Sequence, residues 1–104
     1  MTNIVINIGP DTMKLSMEGH ACYQMDGNDV VCSAASAMGQ ALVDAMFHTP
    51  DIRAVSKLER GNLFLKAHYR EEQKGLIKNR MAVAMSGFRM LQEAYPENVS
   101  YTCQ

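Results

Sequence analysis

Apolar and polar positions alternate in two stretches near the start of the chain, residues 4–8 and 13–18, on either side of the turn cluster Gly9-Pro10-Asp11-Thr12. A period of two is typical of strands, and glycine and proline favour a chain reversal, so this pattern predicts a hairpin. The same reasoning predicts a second hairpin from residues 53–59 and 63–70, and a short closing strand from residues 99–103.

Two longer stretches carry apolar residues at spacings of three and four, which predicts helices with one buried face. The first helix should begin after an N-cap at Asn28 or Asp29 and fade near His48, because Pro50 disfavours helical geometry just before it. Its stripe consists of Val31, Ala35, Met38, Leu42 and Ala45. The second stripe consists of Ile77, Met81, Ala84, Phe88, Leu91 and Tyr95, and Pro96 marks its end.

The predicted order of elements is ββαββαβ, which indicates the α+β class. We expect a two-layer sandwich, with a mostly antiparallel sheet of about five strands and two long helices on one of its faces. The chain of 104 residues has no low-complexity segment or proline-rich linker, so residues 1–104 are predicted to form a single domain.

Composition narrows the class of protein further. Ten basic and eleven acidic side chains leave a formal charge of −1, which argues against direct binding of nucleic acid through a positive field. The apolar runs are much shorter than the roughly 20 residues that cross a bilayer, and no secretory signal is visible at the start. Three cysteines without such a signal favour free thiols in a reducing compartment, so we expect a cytoplasmic protein away from membranes.

The candidate chemistry lies in residues 19–32. Cys32 is expected in the first turn of the first helix, where unpaired N–H groups and the helix dipole favour a thiolate, the nucleophilic form of cysteine. The same N–H groups would receive a developing oxyanion. His20 lies just after a predicted strand and would reach the thiol if that strand runs beside the helix start. Asp29 would cap the helix, orient His20, or do neither.

Each of these residues also has a purely structural interpretation. A single cysteine in a helix often packs as a small apolar residue, and a histidine at a strand end is often a partly exposed polar residue. Spacing alone therefore leaves open whether Cys32 and His20 form a catalytic pair.

No metal or cofactor site is predicted. The imidazoles and thiols do not follow the paired spacing of a structural zinc site; they are His20, Cys22, Cys32, His48, His68 and Cys103. Gly27, Gly39 and Gly61 are isolated from one another, so no phosphate-binding loop is indicated.

The segment Gly19-His20-Ala21-Cys22-Tyr23, followed by Asp29-Val30-Val31-Cys32-Ser33-Ala34-Ala35-Ser36-Ala37, resembles the ribosomal-processing cysteine proteases of Firmicutes and related bacteria. Their pattern is Gly-His-Ala-x-Tyr, a short glycine-containing loop, and then Asp-[Ile/Val]-Val-Cys-Ala-Ala-x-Ser-Ala. The similarity extends over the whole chain, including Glu93-Ala94-Tyr95-Pro96.

The resemblance implies a homodimeric α+β cysteine endopeptidase with Cys32 as nucleophile and His20 as general base. It implies supporting roles for Asp29, Ser36 and Gly19. The loop from Ala21 to Asn28 would cover the substrate, with Ala21, Cys22, Tyr23, Gly27 and Asn28 as its substrate-facing residues. The expected substrate is the N-terminal extension of a large-subunit ribosomal protein, number twenty-seven.

The chain departs from the family pattern at Ser33 and Ala35, which affects the shape of the groove more than the chemistry. Cys22, two residues after His20, is unusual: it would pair with Cys32 on oxidation and switch the enzyme off, but we prefer the interpretation that it is a bystander exposed in the loop. A weaker alternative is a redox-sensing thiol protein that uses Cys22 and Cys32. The other alternative is a non-catalytic module that binds the ribosome or RNA. Its basic face would consist of Lys66, Arg70, Lys74 and Lys78.

Overall fold

The computed structural model describes residues 1–24 and 29–104. Within these ranges the strands and helices are β1 (Thr2–Ile8), β2 (Thr12–Glu18), α1 (Val30–Phe47), β3 (Arg53–Glu59), β4 (Asn62–His68), α2 (Lys74–Ala94) and β5 (Val99–Cys103). A single 3-10 turn, Glu71–Gln73, precedes α2. The order ββαββαβ and the α+β class are therefore confirmed.

The strands form one sheet in the order β3-β4-β2-β1-β5. The pairs β1–β2, β2–β4 and β3–β4 are antiparallel, whereas β1 and β5 are parallel, with Thr2 opposite Val99. The parallel pair places the start of β1 beside the start of β5. This end of the sheet also holds the end of β2, since Asn3 pairs with Glu18.

Both helices pack on the same face of the sheet. Their buried stripes join the inward side chains of the strands in one cluster, while Asn62 and Phe64 on the opposite face of β4 are exposed. In α2, the stripe from Ile77 to Leu91 is buried as predicted, and Tyr95 is half-buried. In α1, the buried residues are Val31, Ala35, Gly39, Leu42 and Met46. Met38 and Ala45 of the predicted stripe are only half-buried.

The second hairpin ends earlier than predicted. Strand β4 stops at His68 instead of continuing to residue 70, because the next residues form other hydrogen bonds. The Arg70 N–H donates to Gln73 Oε1 at 2.9 Å, and the Gln73 N–H donates to the Arg70 carbonyl oxygen at 2.8 Å. The chain therefore turns into the 3-10 segment at this point.

Helix α1 has the length and apolar composition of a segment that could cross a membrane. Its uninterrupted apolar runs are shorter than the helix, because polar residues such as Ser33, Gln40 and Asp44 lie between them. In the fold, α1 packs with α2 and the sheet in the common core, and core helices of small domains can have the same composition.

Candidate active site

Cys32 is the third residue of α1 and is half-buried at the start of this helix. Its Sγ accepts a hydrogen bond from the backbone N–H of Ala21, with an N to S distance of 3.0 Å. A donor aimed at sulfur favours the negatively charged form of a thiol. The side chain is thus in contact with a polar group as well as with the core.

Asp29 is the N-cap of α1, which confirms one of the two predicted caps. Its Oδ1 accepts from the N–H groups of Val31 and Cys32 at 2.9 and 3.0 Å. Its Oδ2 accepts from the N–H groups of Tyr23 and Gln24 at 2.8 and 3.2 Å. One carboxylate therefore joins the loop before the helix to the first turn of the helix.

Burial on its own would raise the pKa of the Asp29 carboxyl, but the hydrogen bonds from these four N–H groups together hold the pKa below its ordinary value of 3.8. Because backbone donors occupy both oxygens, the structure favours the role of cap and loop anchor over the alternative that Asp29 orients His20.

The first-turn N–H groups of α1 are not free, contrary to our expectation that they would receive an oxyanion. The N–H of Val30 donates to Gln24 Oε1 at 3.2 Å, and that of Ser33 donates to the Asp29 carbonyl oxygen at 3.0 Å. The N–H groups of Val31 and Cys32 donate to the Asp29 carboxylate. The physical reason is the cap itself, which satisfies the helix start from within the chain.

His20 is exposed and lies two residues beyond β2. Its ring lies against Gly61 in the β3–β4 turn, where a Cβ atom on Gly61 would stand only 3.0 Å from His20 Nε2. The neighbouring Gly19 N–H donates to the Gly61 carbonyl oxygen at 2.8 Å. The end of β2 and the turn are therefore tied together where they place the imidazole.

Gly19 is needed at its position for two reasons. Its φ is +92°, a conformation that side chains rarely adopt, and a Cβ atom there would overlap the Met1 carbonyl oxygen. Glycine at this position thus lets the end of β2 approach the start of β1.

The side chains of His20, Cys32 and Ser36 line one open cavity of about 420 Å³ between the start of α1 and the β3–β4 turn. We call it the Cys32 cavity. Ser36 lies one turn after Cys32, and its hydroxyl accepts a hydrogen bond from Gln40 Nε2 at 2.8 Å. The apolar lining comes from Met17, Ala35, Leu58 and Leu63, and polar residues of the turn complete it: Glu59, Arg60 and Asn62.

The predicted loop residues are in different surroundings. Ala21 is buried, whereas Cys22 and Tyr23 are exposed, and Cys22 has a positive φ of 57°. The prediction for Gly27 and Asn28 lies outside the described residues, as does Asn28 as an alternative cap.

Asn98 contacts this site and was missed from the sequence. Its Nδ2 donates to the Ala21 carbonyl oxygen at 2.9 Å across a separation of 77 positions. No local spacing could have indicated this contact, because it depends on the parallel pairing of β1 with β5.

Cys22, Cys32 and Cys103 are all free thiols. In residues 1–24 and 29–104, no group of three or more histidine, cysteine or acidic side chains is arranged to hold a metal ion.

Cys32 at the start of α1 and His20 line the same cavity, and a thiol with an imidazole base is the pair of groups that cysteine hydrolases use. The profile of the family described as cysteine protease Prp matches residues 1–100. The chain therefore belongs to the cysteine protease Prp family, as the sequence resemblance indicated. Among curated proteins, no significant match is found.

Solved structures with the same fold cover the whole chain. One is an essential ribosomal processing protease Prp from S. aureus in complex with a covalently linked product peptide, with 23% identity, a TM-score of 0.77 and full coverage of both chains. The same S. aureus protease with a substrate peptide has 18% identity, a TM-score of 0.76 and full coverage of both chains. SMU.848 from Streptococcus mutans has 21% identity and a TM-score of 0.74, with 100% of this chain and 94% of that chain covered.

Proposed function

We propose that this protein is a cysteine endopeptidase in which Cys32 is the nucleophile and His20 is the general base. The observation that carries the proposal is the Cys32 cavity, which both side chains line, together with the Ala21 N–H that donates to Cys32 Sγ at 3.0 Å. Membership of a cysteine protease family supports the same assignment.

In the proposed reaction, His20 takes the proton of the Cys32 thiol, and the sulfur attacks the scissile carbonyl carbon to form a C–S bond. When the tetrahedral intermediate collapses, the C–N bond breaks and protonated His20 gives its proton to the leaving amine. Water then hydrolyses the thioester, which releases the acid product and regenerates the thiol.

The oxyanion of this reaction needs a donor close to the sulfur. The N–H groups of Val31 and Cys32 donate to Asp29, so they would have to exchange partners to serve. The Ala21 N–H donates to Cys32 Sγ and would also exchange its partner, but the oxyanion forms on the carbon that becomes bonded to this sulfur, so this donor has the shortest distance to move. We therefore assign the oxyanion contact to Ala21 within this proposal.

The proposed substrate is the N-terminal extension of large-subunit ribosomal protein number twenty-seven. Support comes from the family resemblance and from the S. aureus relative, which is described as a ribosomal processing protease. The Cys32 cavity is open on one side and largely apolar, which suits a peptide segment with apolar side chains. A homodimer in the cytoplasm belongs to the same proposal, and light scattering after gel filtration tests the oligomeric state.

The test is mass spectrometry of a peptide that copies this N-terminal extension, incubated with the wild-type protein and with Cys32→Ala, His20→Ala and Cys103→Ala. The proposal predicts that the first two variants lose at least about a thousandfold in kcat/KM, since each removes a member of a unit that acts together. The exposed Cys103 is the matched control, and its variant should keep full activity. Full cleavage by Cys32→Ala would end the proposal.

A further inference from the structure

The connection between α2 and β5, residues 95–98, contacts the loop before α1 at two points. Asn98 Nδ2 donates to the carbonyl oxygen of Ala21 at 2.9 Å. The rings of Tyr95 and Tyr23 pack edge to face, with 4.9 Å between their centroids. A segment near the end of the chain therefore fixes the loop that follows His20.

Ala21 is held on both sides. Its carbonyl oxygen accepts from Asn98, and its N–H donates to Cys32 Sγ at 3.0 Å. The residue is 1% exposed, so it has little room to move. The Ala21 N–H lies in the planar peptide shared with His20, and the Ala21 carbonyl oxygen lies in the next planar peptide. The bond to Asn98 therefore holds the N–H through the Ala21 Cα atom, which joins the two planes.

Asn98 is itself anchored to the fold. Its backbone N–H donates to the Tyr95 carbonyl oxygen at 2.9 Å, and its own carbonyl oxygen accepts from the Thr2 N–H at 2.9 Å. The contact with Thr2 joins it to the first residue of β1. The side-chain amide therefore extends from a fixed backbone.

We infer that Asn98 is a positioning residue for the proposed reaction: it holds Ala21 so that the Ala21 N–H stabilises the thiolate of Cys32. This inference rests on the proposed function for its catalytic meaning. Asn98 itself takes part in no bond-making step. Its effect reaches the sulfur through a donor that favours the charged form of the thiol.

The experiment measures the alkylation of Cys32 by iodoacetamide as a function of pH. Replacing Cys22 and Cys103 by serine leaves Cys32 as the sole thiol among the three cysteines. In this background, Asn98→Ala should raise the pH midpoint of alkylation by about one unit and slow alkylation near neutral pH about tenfold. Asn98→Asp should slow it at least as much, because it replaces the donor with a second acceptor and adds a negative charge.

The matched controls are Asn79→Ala and Asn79→Asp, which make the same chemical changes on the exposed side of α2. They should leave the alkylation profile unchanged. In the cleavage assay, Asn98→Ala should lower kcat about tenfold with little change in KM. A wild-type alkylation profile in Asn98→Ala would overturn the inference, whether or not cleavage is lost. Lost cleavage with unchanged alkylation would indicate only a structural role for Asn98.

If the Asn98 variants do not fold, NMR spectra of the unaltered protein test the positioning role of Asn98 instead. The chemical shifts of the Ala21 amide proton and of the Asn98 side-chain amide should both change with pH, with the same midpoint as the alkylation of Cys32. Cys32→Ala should abolish both changes. An Ala21 amide that does not respond to Cys32 would overturn the inference.

The proposed function and the positioning role of Asn98 can be disproved separately. Alkylation needs no substrate, so cleavage retained by Cys32→Ala would overturn the proposed function and leave the positioning result readable. Conversely, active wild-type protein together with unchanged alkylation in Asn98→Ala would overturn only the positioning role.

Discussion

Asp29 connects the start of α1 to the residues before it, because its two carboxylate oxygens accept hydrogen bonds from four backbone N–H groups, two in the helix and two at Tyr23 and Gln24. A neutral amide offers only one acceptor oxygen, so Asp29→Asn cannot keep this arrangement. The chemistry at Cys32 depends on the placement of the Ala21 N–H, which lies in the loop that Asp29 anchors.

At the residue scale we predict that Asp29→Asn lowers kcat/KM by about ten- to a hundredfold, since small displacements of reacting groups have effects of this size. Peptide cleavage followed by mass spectrometry measures it. Asp44→Asn makes the same change in the last turn of α1, at an exposed position, and should cleave like the wild-type protein. Equal activity in the two variants would contradict the anchoring role.

The same residue predicts a pH dependence of stability. The pKa of the Asp29 carboxyl is lowered in the folded state, so its contribution to the free energy of unfolding is present above its ordinary value of 3.8 and is lost as the pH falls below it. Urea unfolding at a series of pH values should show this acid loss in the wild-type protein and a smaller one in Asp29→Asn. An identical acid loss in both proteins would contradict the assignment.

At the scale of elements, much of the fold could be predicted because alternation and helical spacing are local signals. The strands β3 and β5 have the predicted bounds, and α1 ends beside His48 as expected. The early end of β4 was not predicted, because the apolar alternation continues to Tyr69, whereas hydrogen bonds between Arg70 and Gln73 turn the chain there. The cap at Asp29 was one of two predicted candidates.

The β3–β4 turn is the element that places His20. Gly61 has a φ of +79°, and a Cβ atom there would crowd the imidazole. We predict that Gly61→Ala lowers kcat/KM about tenfold through displacement of His20, and lowers stability by about 1–2 kcal/mol through backbone strain.

Gly75→Ala is the matched control for this prediction. Gly75 lies in α2 with open space around it, so alanine there should keep full activity and raise stability by up to about 1 kcal/mol. Cleavage kinetics and urea unfolding measure both variants. Unchanged kcat/KM in Gly61→Ala would show that the turn does not place the imidazole.

At the scale of the whole molecule, the topology brings segments from the beginning and the end of the chain to one end of the sheet. The parallel pair β1–β5 sets the α2–β5 connection beside the start of β1, and the β1–β2 register adds the end of β2. The sequence motif could identify Cys32 and His20 as candidates. It could not indicate Ala21 and Asn98, because their roles depend on backbone direction and on strand order.

The common core holds this arrangement together. Phe88 of α2 is fully buried and packs against the Tyr101 ring of β5, with centroids 5.8 Å apart. We predict that Phe88→Ala lowers the free energy of unfolding by about 3–5 kcal/mol, a large share of the roughly 5–15 kcal/mol of a typical domain. Val83→Ala, at a position that is 84% exposed, should change it by less than about 0.5 kcal/mol. Equal urea midpoints in the two variants would contradict this description of the core.

The most direct measurement is the mass of the intact protein after brief incubation with the peptide substrate and rapid acid quenching. A thioester intermediate should add the mass of the N-terminal peptide fragment, with the loss of water, and fragmentation should locate it at Cys32. Cys32→Ala should show neither the adduct nor cleavage. Cleavage by the wild-type protein that leaves no acyl group on Cys32, together with full turnover by Cys32→Ala, would contradict the account.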